Sequence, residues 1–84
     1  MDKKIIEDVG VYWLEEHNTI VLYAEHTDGS EEEMVEIKPD GAPDFAGEEA
    51  NRFAESIDYE YWYNEALEEA HRRGYILAGE AEGN

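Results

Sequence analysis

Apolar residues recur at every second position in three segments of the first half of the chain, and this period predicts β-strands. The segments are residues 9–16, 19–25 and about 33–38. Branched and aromatic side chains dominate the first two, as is typical of pleated sheets. His17-Asn18 and Asp28-Gly29 separate the segments and predict two turns. We therefore expect three antiparallel strands in a meander.

Apolar residues in the second half are spaced by three and four positions, which predicts helices. One stripe contains Ala50, Phe53, Ala54 and Ile57, and a second contains Tyr59, Trp62, Tyr63, Ala66, Leu67 and Ala70. The stripes are out of phase around residues 56–58, so we expect either two helices or one kinked helix, with Ser56 or Asp58 as the second N-cap. Gly74 is expected just beyond the helix end, and residues 75–78 to return as a short edge strand.

These elements predict an α+β fold: a small three- or four-stranded antiparallel sheet packed on one or two C-terminal helices, in the order βββαα(β). We expect a single domain over residues 1–84, with residues 1–7 and 79–84 frayed. The first two strands are apolar on both faces, which leaves two alternatives. Either Trp13, Ile20 and Leu22 face the core and Tyr12 and Tyr23 face outward, or the reverse holds.

The net charge of the chain excludes several classes of function. The 84 residues contain 23 acids and 6 bases, a formal net charge of −17, and the acids are spread along the whole chain. Binding to nucleic acid or to anionic membranes needs clustered Lys and Arg, so neither is expected. The absence of cysteine excludes disulfides, thiolate zinc sites and cysteine nucleophiles. No apolar run approaches the roughly 20 residues of a membrane-spanning helix.

No catalytic motif is present, so we expect neither an enzyme nor a cofactor or metal site. The three histidines, His17, His26 and His71, have no metal-ligand spacing, and the first two are expected to be exposed turn residues. Carboxylates are so numerous that no pair stands out as acid and base.

The acids are better interpreted together, as a surface that binds a basic partner. The hairpin region is expected to contribute Glu25, Asp28, Glu31, Glu32, Glu33 and Glu36, and the outer face of the second helix to contribute Glu65, Glu68 and Glu69 with the exposed Tyr61. Because these residues lie off the apolar stripes, we expect their substitution to disturb the fold little. An exposed aromatic patch beside the acids would serve a partner or a homodimer.

In size, charge and lack of a catalytic signature, the chain resembles the acidic DNA-mimic inhibitors of phages and mobile elements, which include anti-restriction and anti-CRISPR proteins. This resemblance implies a protein that occupies the basic nucleic-acid-binding groove of a nuclease, a CRISPR effector or a similar protein, in the cytoplasm of a bacterial or archaeal host. Two alternatives remain open: a small acidic interaction module or assembly factor for another basic partner, and a domain adapted to high salt.

Overall fold

The computed structural model describes residues 4–82, which form an α+β fold in which the helices follow the strands. The first three strands are β1 (Lys4–Leu14), β2 (Thr19–His26) and β3 (Glu31–Ile37). Both predicted turns are confirmed. Asn18 has a φ of 54° and Gly29 a φ of 90°, left-handed values that Asn tolerates and Gly adopts without strain.

Two helices follow, α1 (Glu48–Glu55) and α2 (Tyr59–Arg72), and the predicted break between them is confirmed. Asp58 is the N-cap of α2, where its carboxylate accepts a hydrogen bond from the Tyr61 N–H at 3.2 Å. Ser56 instead caps the C-terminus of α1. The chain ends in a short strand, β4 (Tyr75–Leu77), and a final helical turn, α3 (Ala78–Glu82).

The sheet has the strand order β3-β2-β1-β4 and is mixed. The β1–β2 and β2–β3 pairs are antiparallel, whereas β4 pairs in parallel with the start of β1. The expected fourth strand is therefore present, but the sheet is not purely antiparallel. Because β4 pairs with residues 4–6 of β1, the first strand begins five residues earlier than the alternation predicted.

The core lies between one face of this sheet and α2. Its fully buried members include Ile6, Ile20 and Ala24 from the strands and Ala66 and Ala70 from α2. Trp13, Trp62, Tyr63 and Leu67 pack against them as half-buried residues. The second helical stripe is thus confirmed as core except for Tyr59, which is 45% exposed at the start of α2.

Parts of both termini that were expected to fray belong to regular elements. Residues 4–7 belong to β1, and residues 79–82 belong to α3. Met1 to Lys3 and the last two residues lie outside the described part of the chain.

The Cα atoms extend over 46 × 20 × 19 Å, with a radius of gyration of 14.5 Å. A compact chain of this length has a radius of gyration of about 12 Å, so the molecule is elongated.

Candidate partner-binding surface

The face of the sheet that lies opposite the core carries the tyrosines and several of the predicted acids. Cross-strand partners share a face, and the register pairs Tyr12 with Val21, Tyr23 with Gly10 and Glu33, and Glu25 with Glu31. The first of the two alternatives from the sequence is therefore correct, since Trp13, Ile20 and Leu22 pack in the core. We call this surface the outer sheet face; it comprises Tyr12, Thr19, Val21, Tyr23, Glu25, Glu31, Glu33 and Glu36.

The two tyrosines form the centre of the outer sheet face. Their ring centroids lie 5.7 Å apart with an interplanar angle of 48°. Tyr12 is 42% exposed, Tyr23 is half-buried, and Val21 on the same face is fully buried. Gly10 makes this arrangement possible, because a Cβ at that position would lie 2.3 Å from the Tyr23 ring. The Tyr23 ring therefore lies directly across the β1 backbone at Gly10.

Carboxylates surround the tyrosine pair. Glu33 is the cross-strand partner of Tyr23, and Glu25 lies two residues further along β2, directly opposite Glu31. Within residues 4–82, none of these three carboxylates forms a hydrogen bond or an ion pair, and Glu31 and Glu33 are exposed. Burial, together with the nearby charges of Glu31 and Glu25, raises the pKa of Tyr23. This face therefore carries uncompensated negative charge next to aromatic rings.

A bulge in β3 determines which acids reach this face. The register shifts between Leu22 and Tyr23, so that Met34 is inserted into the strand and is buried in the core. Glu33 and Glu36, three positions apart, consequently point to the same outer face. Strict alternation would place Met34 and Glu36 on one face, and the bulge separates them.

Glu32 has a structural environment and is not a free member of the acidic surface. Its carboxylate accepts hydrogen bonds from the Tyr75 hydroxyl at 2.7 Å and from His26 Nε2 at 2.8 Å, and it lies 3.5 Å from Arg73. These bonds hold the pKa of Glu32 below its ordinary value. The His26 side chain is only 13% exposed and its ring contacts Tyr75 edge-on, so the expectation of an exposed turn histidine is wrong for His26.

Glu69 is the second acid with structural partners. It binds Arg73 Nε at 2.9 Å and Arg72 at 3.1 Å, and these bonds lower its pKa. Arg73 also donates to the Met34 carbonyl at 2.6 Å, so one guanidinium joins Glu69 of α2 to Glu32 and Met34 of β3. The structure thus brings together acids from the two predicted patches, but it joins them through a base. Because both carboxylates join separate elements, we now expect substitution of Glu32 or Glu69 to disturb the fold.

Two further acids of the hairpin region form hydrogen bonds with residues in or beside the turns. Asp28 accepts hydrogen bonds from the Ser30 N–H at 2.9 Å and from its hydroxyl at 2.6 Å, which closes the β2–β3 turn and lowers the pKa of Asp28. Glu36 accepts from His17 Nδ1 at 2.9 Å and from the Thr19 hydroxyl at 3.0 Å, and its pKa is likewise lowered. Both side chains remain exposed, so both still contribute negative charge to the surface.

The outer face of α2 forms a second, separate surface. Tyr61 is 48% exposed, as expected, and its ring packs on Trp62 with centroids 5.1 Å apart. Its hydroxyl lies 3.4 Å from Glu65, whose charge raises the pKa of Tyr61. Glu68 is exposed. This surface lies on the helical layer, whereas the outer sheet face lies on the other side of the sheet.

The positive charges within residues 4–82 are all engaged inside the molecule. Lys4 lies 5.3 Å from the centre of the Tyr75 ring, Lys38 pairs with Asp44, and Arg52 pairs with Glu48. Arg72 and Arg73 pair with Glu69. Among residues 4–82 the unpaired surface charge is therefore negative.

The loop before α1 presents one aromatic residue that the sequence analysis missed. Phe45 is 83% exposed beside a surface depression lined by residues 43–49, whose only ionisable groups are carboxylates. The loop is held by the Asn18 amide, which donates to the Pro43 carbonyl at 2.8 Å.

Across the part of the chain described, no group of His, Asp and Glu is arranged to hold a metal ion. None of the helices described is long and apolar enough to cross a membrane.

Comparison of this chain with protein-family models, with curated proteins and with solved structures found no match.

The hydrogen-bonded network around Glu32 can be tested by its dependence on pH. A carboxyl whose pKa is lowered in the folded state contributes stability above its unfolded pKa of about 4.3, and this stability is lost as the pH falls through the folded value. We therefore expect Glu32→Gln to lower the free energy of unfolding at pH 7, and the difference from the parent to shrink towards pH 3. Urea unfolding across this pH range measures it.

Glu68→Gln is the matched control, since Glu68 is exposed on α2 and its carboxylate makes no hydrogen bond or ion pair within the described residues. It removes the same charge and should change the free energy of unfolding little at any pH. A Glu32→Gln difference that stays constant with pH would contradict the role of the ionised carboxylate.

Proposed function

We propose that this protein is a nucleic-acid-mimicking inhibitor that occupies the basic groove of a DNA-binding protein in the cytoplasm of a bacterial or archaeal cell. The observation that carries the proposal is the density of acid along an elongated body. The formal net charge of −17 over a long axis of 46 Å amounts to about one negative charge per 3 Å. Duplex DNA carries one negative charge per roughly 1.7 Å of axis.

The arrangement of the charges supports the same proposal. Bases within the described residues are paired inside the molecule, whereas acids such as Glu25, Glu31 and Glu33 are unpaired. A groove lined with Lys and Arg would attract this surface from a distance and exclude DNA once it is filled. Inhibition by occupancy needs no catalytic residue, so we propose a binding protein and not an enzyme.

Displacement from immobilised duplex DNA tests the proposal and does not require the target to be chosen beforehand. Proteins of a bacterial lysate are bound to the DNA at an ionic strength of about 0.1 M and then eluted with this protein. We expect DNA-binding proteins to be released by the parent, and released less by the variant E25Q/E31Q/E33Q. Mass spectrometry of the eluate then identifies them.

The variant E55Q/E60Q/E68Q is the matched control, because it also removes three charges, all from exposed positions on the helices, and leaves the sheet unchanged. Equal release by the parent and by both variants would show that neither acidic surface acts, and would contradict the proposal. If the identified target binds this protein and duplex DNA at the same time, steric mimicry is wrong and the interaction-module alternative is favoured. A fold that forms only in molar salt would favour salt adaptation.

A further inference from the structure

We propose that the outer sheet face recognises arginine side chains of its basic partner, and that Tyr12 and Tyr23 make it prefer arginine to lysine. This inference rests on the proposed function, because it takes the partner to be basic. It further specifies which of the two acidic surfaces contacts the partner, and which side chains of the partner that surface prefers.

The two rings present aromatic surface within reach of solvent. Their centroids are 5.7 Å apart and their planes are tilted by 48°, with Tyr12 42% exposed. A guanidinium group is planar and weakly hydrated, so it stacks on such a ring. A lysine ammonium is a compact and strongly hydrated charge, which gains less from the same ring.

The carboxylates next to the rings can accept the hydrogen bonds that a guanidinium group donates. Glu25 lies two residues after Tyr23 on β2 and Glu31 lies directly opposite Glu25 on β3, so both belong to the same face as the ring. Burial raises the pKa of the Tyr23 hydroxyl, and both carboxylates are close enough to Tyr23 for their charges to raise it further. A guanidinium that stacks on a tyrosine can therefore also form paired N–H bonds to an adjacent carboxylate.

Charge identifies the occupant of this face. A second copy of the chain would bring Glu25, Glu31 and Glu33 against the same residues, and each copy carries a net charge of −17. Because these glutamates have no base beside them within the described residues, such a pairing would be repulsive. An arginine-bearing surface instead supplies both the missing positive charge and a planar group for the rings.

The experiment compares two synthetic peptides of equal length, oligo-arginine and oligolysine, titrated into the protein by calorimetry at about 0.15 M ionic strength. The quantity of interest is the ratio of the two dissociation constants, because simple charge attraction acts on both peptides. We expect the arginine peptide to bind roughly three- to tenfold more tightly to the parent. We expect Tyr12→Leu to reduce that preference to less than about twofold.

Two variants sharpen the comparison. Tyr61→Leu removes a tyrosine of similar exposure that lies beside Glu65 on α2, and it should keep the arginine preference. Gly10→Ala keeps every tyrosine and every charge but displaces the Tyr23 ring, since the added Cβ would lie 2.3 Å from it. It should therefore reduce the preference. Circular dichroism checks that each variant is folded.

The proposal is overturned if the arginine preference survives in Tyr12→Leu and Gly10→Ala, if it disappears only in Tyr61→Leu, or if the parent binds both peptides equally. None of these results affects the proposed function, which is tested by release of proteins from DNA. Conversely, a parent that releases nothing from DNA but keeps a Tyr12-dependent arginine preference would contradict the mimicry and support this inference.

Discussion

Replacing Ile6 by alanine is expected to destabilise the fold by about 2–5 kcal/mol, as for other fully buried aliphatic side chains. Ile6 is 0% exposed and belongs to the same core cluster as Ile20 and Ala66. It also pairs with Leu77, so the cavity would lie where β4 joins the sheet. A domain of this length has a total stability of about 4–13 kcal/mol, and the variant could be largely unfolded. Urea unfolding followed by circular dichroism measures the loss.

The neighbouring residue provides the control. Ile5 is 45% exposed in the same strand, and Ile5→Ala removes the same atoms from a solvated position. We expect it to cost about 1 kcal/mol or less, mainly through lower strand propensity. Equal losses for the two variants would mean that the alternation of burial at the start of β1 is wrong.

The first residues of β1 could not be predicted from the sequence. The alternation from Val9 onward predicted most of the strand, but residues 4–7 show no simple period. The register shift between Ile6 and Asp8 explains this, because it inserts Glu7 and places Ile6 and Val9, three positions apart, in the core. Pairing with β4, about 70 residues later, then holds this segment in the sheet. Neither feature has a local sequence signal.

The helices and turns were predictable because their signals are local. Asp58 at the N-cap, Asn18 in the first turn and Gly74 beyond α2 each act through their own backbone or a neighbour within three residues. The candidate surface was predictable only in part. The sequence left two alternatives for which side chains of the first two strands face outward. Packing of α2 against Ile20 and Leu22 decides between them.

The division of the acids into free and bonded groups could not be predicted. Glu31, Glu32 and Glu33 are three consecutive residues of the same type, yet Glu32 alone contacts Tyr75, His26 and Arg73. Strand alternation separates it from its neighbours, and elements distant in the chain supply its partners. The three consecutive glutamates thus serve two purposes, since Glu32 binds β4 and the end of α2 while Glu31 and Glu33 charge the outer sheet face.

Arg73 at the C-terminus of α2 holds this bonded group together, and Arg73→Ala is expected to lower the free energy of unfolding by about 1–3 kcal/mol. Its guanidinium donates to the Met34 carbonyl at 2.6 Å and to Glu69 at 2.9 Å, and lies 3.5 Å from Glu32. The side chain is 37% exposed, so solvent reduces the contribution of each charged contact below its fully buried value. Removal would also leave Glu32 and Glu69 without the cation between them, in a molecule that already carries excess negative charge.

Arg52→Ala separates this local effect from the change in net charge. It also removes one positive charge, but Arg52 forms only an exposed pair with Glu48 at 3.5 Å, which is worth about 0.3–0.5 kcal/mol. Arg73→Lys adds a second comparison, because a lysine keeps the charge but has no planar fork to span a carbonyl and two carboxylates. We expect it to recover only part of the loss. Equal destabilisation by Arg73→Ala and Arg52→Ala would show that long-range repulsion, and not the junction between α2 and β3, sets the effect of a lost base.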